Sequence, residues 1–221
     1  MDPSLLHQLV HAIEGKDLST AAHTWRVVLY TRAMAEEAGL AHDRIHALTH
    51  AAALHDIGKL DTPLEILQKP GRLTDEEFEV IKQHTVTGWA RLIKLGIDDE
   101  AIVDLVRHHH ERVDGTGYPL GLAGDVIPVP ARYFAVIDSF DAMTSVRPYR
   151  TDVGPEAAAR AIRELREGAG SHYCADAVEM FARLYETGRL DFILEHFNDR
   201  CAVPEYDASH AIRAHERKRL Y

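Results

Sequence analysis

The chain has 221 residues, of which 46% are hydrophobic and 27% charged, a balance typical of a globular domain that can bury a core. Its 35 acidic and 25 basic side chains give a net charge of -10, which excludes long-range attraction to nucleic-acid polymers and anionic membranes. No apolar run approaches about 18 residues and the start has no export signal, so a cytoplasmic location is expected, with Cys174 and Cys201 reduced.

Apolar residues recur at helical spacing along most of the chain, which predicts an all-α fold. In chain order, helices are predicted over 4–13, 19–38, 43–56, 75–95, 98–110, 129–145, 155–167, 175–188 and 190–197, with a charged tail helix over 208–219. Thr74 followed by Glu77 predicts a capping box at the start of the fourth helix. The expected organisation is an N-terminal helix in residues 1–15, one domain over 16–197 and a polar, helical tail over 198–221.

The segment from Glu111 to Pro128 is predicted to be the one long loop in the compact part of the chain. It contains four glycines and two prolines, and it joins the helices predicted over 98–110 and 129–145. A loop of this length is usually functional or disordered. We therefore expect it to contribute to a functional site.

Seven side chains that can bind metals lie on the apolar faces or at the ends of five predicted helices: His23, His55, Asp56, His84, His109, His110 and Asp138. One such histidine alone is more often a hydrogen-bonded core residue, but a buried carboxylate is rare unless it is paired or bound to a metal. Because five helices each present a polar ligand to the interior, we expect these side chains to converge on divalent metal ions.

Two of these ligands, His55 and Asp56, are adjacent, as are His109 and His110. Neighbouring helical residues point about 100° apart, so both members of a pair at a helix end can flank a cluster. Asp56 can also give one carboxylate oxygen to each of two metals. Two metal ions about 3.5–4 Å apart are a common means of attacking a phosphodiester with water, and the pattern predicts such a centre.

These ligands and the residues around them resemble the motifs of a known family. His55 and Asp56, with His23 upstream, resemble the HD superfamily of metal-dependent phosphohydrolases. The run HHERVDGTGYP at 109–119 resembles the signature HHExxDGxGYP of the HD-GYP family. Further matches, such as KPG at 69–71 and RPYR at 147–150, extend the resemblance over residues 16–195.

The resemblance implies an HD-domain helical bundle with a long GYP loop between two core helices. It also implies a phosphodiesterase that uses iron or manganese ions to hydrolyse a cyclic dinucleotide. Cyclic di-GMP is the substrate it favours, with the linear dinucleotide, GMP or both as products. Other cyclic dinucleotides are substrates of some members.

Carried over by position, the resemblance implies a role for each site residue. One metal would be held by His23, His55, Asp56 and Asp138, and a second by Asp56 with His84, His109 and His110. Catalysis would use Asp56 and Lys59, and substrate would be contacted by Lys59, Arg147 and Tyr118.

Position 19 bears on the number of metals. Family members with three metals have a glutamate four residues before the first ligand histidine, whereas this chain has Ser19 there. A hydroxyl is a poorer ligand for a divalent ion than a carboxylate. Two ions are therefore expected, unless a loop carboxylate such as Glu111 or Asp114 substitutes for the missing one.

The sequence leaves two other functions open. One is a catalytically weak signalling module that binds a cyclic dinucleotide, against which the complete ligand set argues. The other is an HD-type phosphohydrolase of another nucleotide, against which the GYP loop argues. A homodimer or a signalling protein partner is also open, whereas His42, His46 and His50 are expected to be bystanders on a helix surface.

Overall fold

The computed structural model describes residues 1–17, 21–145, 155–199, 201 and 203–207 of the chain. These residues form eleven α-helices and no β-strand beyond two isolated bridges, so the all-α prediction is confirmed. Among these residues no helix is long and apolar enough to cross a bilayer. The helices are α1 (Pro3–Asp17), α2 (Ala21–Glu37), α3 (His42–Leu54), α4 (Leu64–Leu67), α5 (Asp75–Lys82), α6 (His84–Lys94), α7 (Glu100–His108), α8 (Val129–Thr144), α9 (Pro155–Glu167), α10 (Ala175–Glu186) and α11 (Asp191–His196).

The single helix predicted over 75–95 is wrong, because the chain forms two helices, α5 and α6, that meet at Gln83. Gln83 keeps helical dihedral angles, but its N–H bonds the carbonyl of Val80 three residues back, at 3.2 Å. This tightened turn ends α5 and makes His84 the first residue of α6. Neither glycine nor proline lies at the break, so the local amino-acid composition did not predict it.

The capping box predicted at the start of α5 is confirmed. The Thr74 hydroxyl accepts the N–H of Glu77 at 3.3 Å, and the Glu77 carboxylate accepts the N–H of Thr74 at 2.7 Å. Two N–H groups that the helix leaves unpaired are thereby satisfied. Ends of the other predicted helices shift by a few residues, as is usual for helix termini.

The core is centred on α2, which packs against α3 and α8, while α7 contacts α3, α6 and α8. Tyr30, Phe140 and Phe181 are fully buried, and their ring centroids lie 4.8–5.6 Å apart. Aromatic pairs at such distances add packing energy beyond the burial of their area. This packing holds together α2 and α8, which carry the predicted ligands His23 and Asp138.

Both ends of the described chain pack on this core. Helix α1 buries Leu6, Val10 and Ile13 in it. In the segment 203–207, Tyr206 is buried against Trp25, whose indole N–H donates to the carbonyl of Pro204 at 3.0 Å. Part of the predicted polar tail therefore packs against the core, whereas the helix predicted over 208–219 lies outside the described residues.

Gly58 lies where the 3-10 helix Ile57–Asp61 meets the start of α6. A Cβ at position 58 would lie 1.8 Å from the carbonyl oxygen of His84 and 2.6 Å from the nitrogen of Gly88. Both atoms belong to the backbone, so no side-chain movement could relieve the contact. The missing side chain of Gly58 thus permits α6 to approach and places His84 beside Asp56.

Gly58→Ala is therefore expected to lower the free energy of unfolding by about 3 kcal/mol, because overpacking against backbone forces the two elements apart. Urea unfolding measures the loss. Gly15→Ala is the matched control, since a Cβ there meets nothing within 4 Å and Gly15 lies inside a helix. That control should be neutral or slightly stabilising. Equal stability of the two variants would contradict the close approach.

Candidate metal centre

One group of possible metal ligands consists of His84, His109 and His110, each offering a ligand atom within 4.8 Å of the others. His84 begins α6, and the other two follow the last residue of α7. The prediction that His109 and His110 stand at a helix end is thus confirmed. His108 points elsewhere, with its Nδ1 3.8 Å from a carboxylate oxygen of Glu111.

Hydrogen bonds to the backbone fix the orientation of three of the candidate imidazoles. In His55, His84 and His109, ring Nδ1 lies 2.7–3.0 Å from the carbonyl oxygen three residues earlier. A carbonyl can only accept, so Nδ1 must carry the proton and donate it. Each ring then turns Nε2 toward the centre, which is how metal-binding histidines are commonly held.

This arrangement leaves two nitrogen lone pairs facing each other. Nε2 of His84 lies 3.2 Å from Nε2 of His109. With both Nδ1 atoms protonated, neither neutral ring has a hydrogen to place between them. A cation at this position would remove the repulsion, so the donor set fits a metal ion.

The second group consists of His23, His55 and Asp56, whose ligand atoms also lie within 4.8 Å of one another. Asp138 is at its edge, with Oδ1 4.0 Å from Nε2 of His55. The four side chains come from α2, from the turn after α3 and from α8. Imidazole and carboxylate together suit borderline divalent transition metals.

Asp56 lies between the two groups. Its Oδ2 is 3.1 Å from Nε2 of His55, and its Oδ1 is 3.4 Å from Nε2 of His84. The ammonium of Lys59 lies 2.8 Å from Oδ2. Each oxygen of this buried carboxylate therefore faces a different set of imidazoles, as the adjacency of His55 and Asp56 predicted.

The charges of the imidazoles differ between the groups. Burial lowers the pKa of His84 and His109, and it lowers that of His110 to about 4. Burial also disfavours the charged form of His55, but Asp56 and Asp138 outweigh it and raise the pKa to about 9. Three rings are thus neutral near pH 7, while that of His55 holds a proton where a metal ion could sit.

Asp141 is a functional candidate that the sequence reasoning missed. It is fully buried, and Nδ1 of His23 donates to its Oδ2 at 2.8 Å. Arg26 donates to both its oxygens. Asp141 lies three residues after Asp138, and Arg26 three residues after His23, so each shares a helix face with a predicted ligand. This spacing was the available signal.

The carboxylate of Glu111 anchors the GYP loop. Its oxygens accept the N–H groups of Leu120 and Leu122 at 2.8 and 2.9 Å. Asp114 accepts from Thr116 in the same loop. The carboxylates of both acids thus accept hydrogen bonds from within the loop, and neither belongs to the two groups of possible ligands found in the described part of the chain.

Tyr118 of the loop lies over the first group. Its ring centroid is 4.8 Å from that of His110 and 6.4 Å from that of His84. Two other predicted site residues, Ser19 and Arg147, lie outside the described residues. The side chains of His42, His46 and His50 form a row along α3 and belong to neither group.

Residues 9–176 match the HD domain family, to which the chain therefore belongs, and it is of the HD-GYP type. It is 41% identical over 178 residues to a cyclic di-GMP phosphodiesterase of Thermotoga maritima, covering 77% of this chain and 46% of that protein. It is 37% identical over 213 residues to a cyclic di-GMP phosphodiesterase of Pseudomonas aeruginosa, covering 91% and 50%.

The fold is similar to the crystal structure of a cyclic GMP-AMP specific phosphodiesterase of Vibrio cholerae. The TM-score is 0.67 at 15% identity, covering 96% of this chain and 53% of that one. Similarity at this level of identity supports the fold alone. The chain spans about half the length of the curated relatives it matches.

Proposed function

We propose that this chain is a metal-dependent phosphodiesterase that hydrolyses a cyclic dinucleotide, with cyclic di-GMP the favoured substrate. The products are the linear dinucleotide, GMP or both. The observation that carries the proposal is the position of Asp56, whose two oxygens face two separate groups of imidazoles. A carboxylate so placed is suited to bridge two cations.

In this proposal, two ions bind per chain, and iron or manganese suits the mixture of imidazole and carboxylate donors. His84, His109 and His110 would hold one ion, and His23, His55 and Asp138 would hold the other, with Asp56 available to both. When bound, the ions supply Lewis-acid activation of water and screen the charge of the phosphodiester. A third ion is not expected, since position 19 is Ser19.

Lys59 acts on the substrate phosphate. Its side chain is 22% exposed and its ammonium lies beside Asp56, so it can reach a non-bridging oxygen at the edge of the site. A positive charge there stabilises the negative charge that grows on phosphate oxygens during in-line attack. Arg147 is proposed to bind phosphate as well, through its planar fork of donors.

Tyr118 closes one side of the site. Its ring covers His110, and burial raises its pKa above the ordinary value, so the phenol stays neutral and can donate a hydrogen bond. The carboxylate of Glu111 accepts the N–H groups of two residues that follow Tyr118 and so helps to hold this ring in place. Tyr118 can thus contact a bound nucleotide without adding charge.

The names of the relatives support the substrate class, since those from Thermotoga maritima and Pseudomonas aeruginosa are called cyclic di-GMP phosphodiesterases. A relative from Vibrio cholerae, 37% identical over 147 residues, is called a 3'3'-cGAMP-specific phosphodiesterase. The cytoplasmic location and a homodimer or signalling protein partner stay predictions.

The test is turnover of cyclic di-GMP and of the mixed-base 3'3'-cGAMP by protein loaded anaerobically with iron or manganese. Metal-dependent release of linear dinucleotide or GMP supports the proposal. Tight binding without turnover in fully loaded protein would instead indicate a signalling module. Turnover confined to other nucleotides would indicate a different phosphohydrolase of the same fold.

Among His55, His84, His109 and His110, only His55 should release a proton when metal binds at pH 7, because the metal needs a neutral imidazole there. The pKa of His55 is raised to about 9, whereas those of His84, His109 and His110 are lowered, so only His55 is charged among these four. Calorimetry in buffers of different ionisation enthalpy counts the protons. The contribution of His55 should vanish as the pH rises above about 9. Release of three protons would contradict the neutral state of the first group.

A further inference from the structure

A surface formed by Phe78, Lys82 and Tyr118 extends outward from the candidate metal centre. Phe78, on α5, lies with its ring centroid 6.3 Å from that of Tyr118, at an interplanar angle of 83°. The ammonium of Lys82, one turn later on the same helix, lies 5.0 Å from the Phe78 centroid and 5.7 Å from that of Tyr118. Since Tyr118 covers His110, these three residues extend the centre toward solvent.

Core packing does not explain why Phe78 and Lys82 take these positions on the surface. Phe78 is 44% exposed, and α5 has no buried residue at all. Lys82 is paired with Glu79 at 2.6 Å, but the Glu79 side chain is 64% exposed, and ion pairs at such positions contribute little. An exposed aromatic face with a cation beside it, next to a candidate catalytic centre, is a surface suited to bind a flat, electron-rich ligand.

We infer that Phe78, Lys82 and Tyr118 form a subsite for one nucleobase of the substrate, and that this base is guanine. The inference rests on the proposed function and adds to it the residues that recognise the base. A base lies one sugar away from its phosphate, so a phosphate at the metal centre leaves its base near Tyr118 and Phe78. Aromatic rings at nucleotide sites stack on bases of any sequence.

Lys82 provides the preference for guanine. The exposed edge of guanine presents two acceptors, N7 and O6, whereas adenine presents an amino donor in place of O6. The ammonium of Lys82 has donors only, so it can bond to guanine and meets an unfavourable donor on adenine. The subsite therefore accepts the guanine of cyclic di-GMP or of 3'3'-cGAMP and disfavours cyclic di-AMP.

Phe78→Ala and Phe78→Leu should each raise KM for cyclic di-GMP about 10-fold with little change in kcat, since stacking acts equally on bound substrate and transition state. Phe78→Trp, which keeps a flat ring, should retain the KM of the unmodified protein. Phe192→Ala is the matched control, because Phe192 is similarly exposed, at 41%, on α11, which carries none of the predicted site residues. Metal content, measured in every variant, should stay unchanged.

Lys82→Met should lower the preference for guanine about 10-fold, measured as KM for cyclic di-GMP against the inhibition constant of cyclic di-AMP. Methionine keeps the apolar stem and removes the donors. A KM unchanged in both Phe78→Ala and Phe78→Leu, or a preference unchanged in Lys82→Met, would overturn the subsite while leaving the proposed function intact. Failure of the unmodified, loaded protein to hydrolyse any cyclic dinucleotide would instead overturn the proposed function itself.

Discussion

Asp56→Ala is expected to lose both metal ions and to lower phosphodiesterase turnover by at least about 10³-fold. The reason is that Asp56 is the one carboxylate, among the described residues, whose oxygens face both groups of imidazoles. Without it each group keeps only neutral or positively charged rings close to the ion, apart from the more distant Asp138. Elemental analysis of freshly purified protein measures the loss.

Two further variants test this assignment. Asp138→Asn should lose mainly the ion held near His23 and His55, because Oδ1 of Asp138 lies 4.0 Å from Nε2 of His55. Replacing His42, His46 and His50 together by glutamine should leave metal content unchanged, since these rings belong to neither group. Full metal occupancy in Asp56→Ala would show that the two ions are not bridged by this residue.

Much of this centre was predictable because helical periodicity carries the relevant information. The steps of three and four residues place each predicted ligand on a core-facing stripe, and helices that pack together must bring such stripes into contact. The ends of α3 and α7 fall immediately before His55 and His109, as the adjacent ligand pairs required. The two described groups thus contain six of the seven expected ligands, with Asp138 at the edge of one group, while their binding of metal stays a prediction.

What the sequence did not predict depends on contacts between distant segments. The break at Gln83 lies next to the place where Gly58 approaches the backbone of His84, and helix propensity registers neither feature. Glu111 was read as part of a motif, but its role as the anchor of the loop depends on N–H groups nine and eleven residues later. The spacing of apolar residues did not show that the side chain of Phe78 is exposed, and this exposure is what distinguishes Phe78 from a core residue.

The buried network behind His23 gives the second large expected effect. Asp141→Ala should lower the free energy of unfolding by roughly 3–5 kcal/mol, because it leaves the guanidinium of Arg26 buried without its main partner. Arg26 is 4% exposed, and among the described residues Asp199, at 2.9 Å, is the carboxylate partner that it keeps. Urea unfolding measures the loss. The same variant should also lose the ion on the His23 side, because Nδ1 of His23 loses the acceptor that orients the ring.

A double variant separates the two roles of Asp141. Arg26→Met with Asp141→Leu removes both buried charges and fills their volume, so it should regain most of the stability that Asp141→Ala loses. It cannot restore an acceptor for His23, and therefore the ion on that side should still be absent or weakly held. Recovery of stability together with full metal content would mean that Asp141 serves only to neutralise Arg26. Loss of metal in a stable protein would instead identify Asp141 as the residue that positions His23.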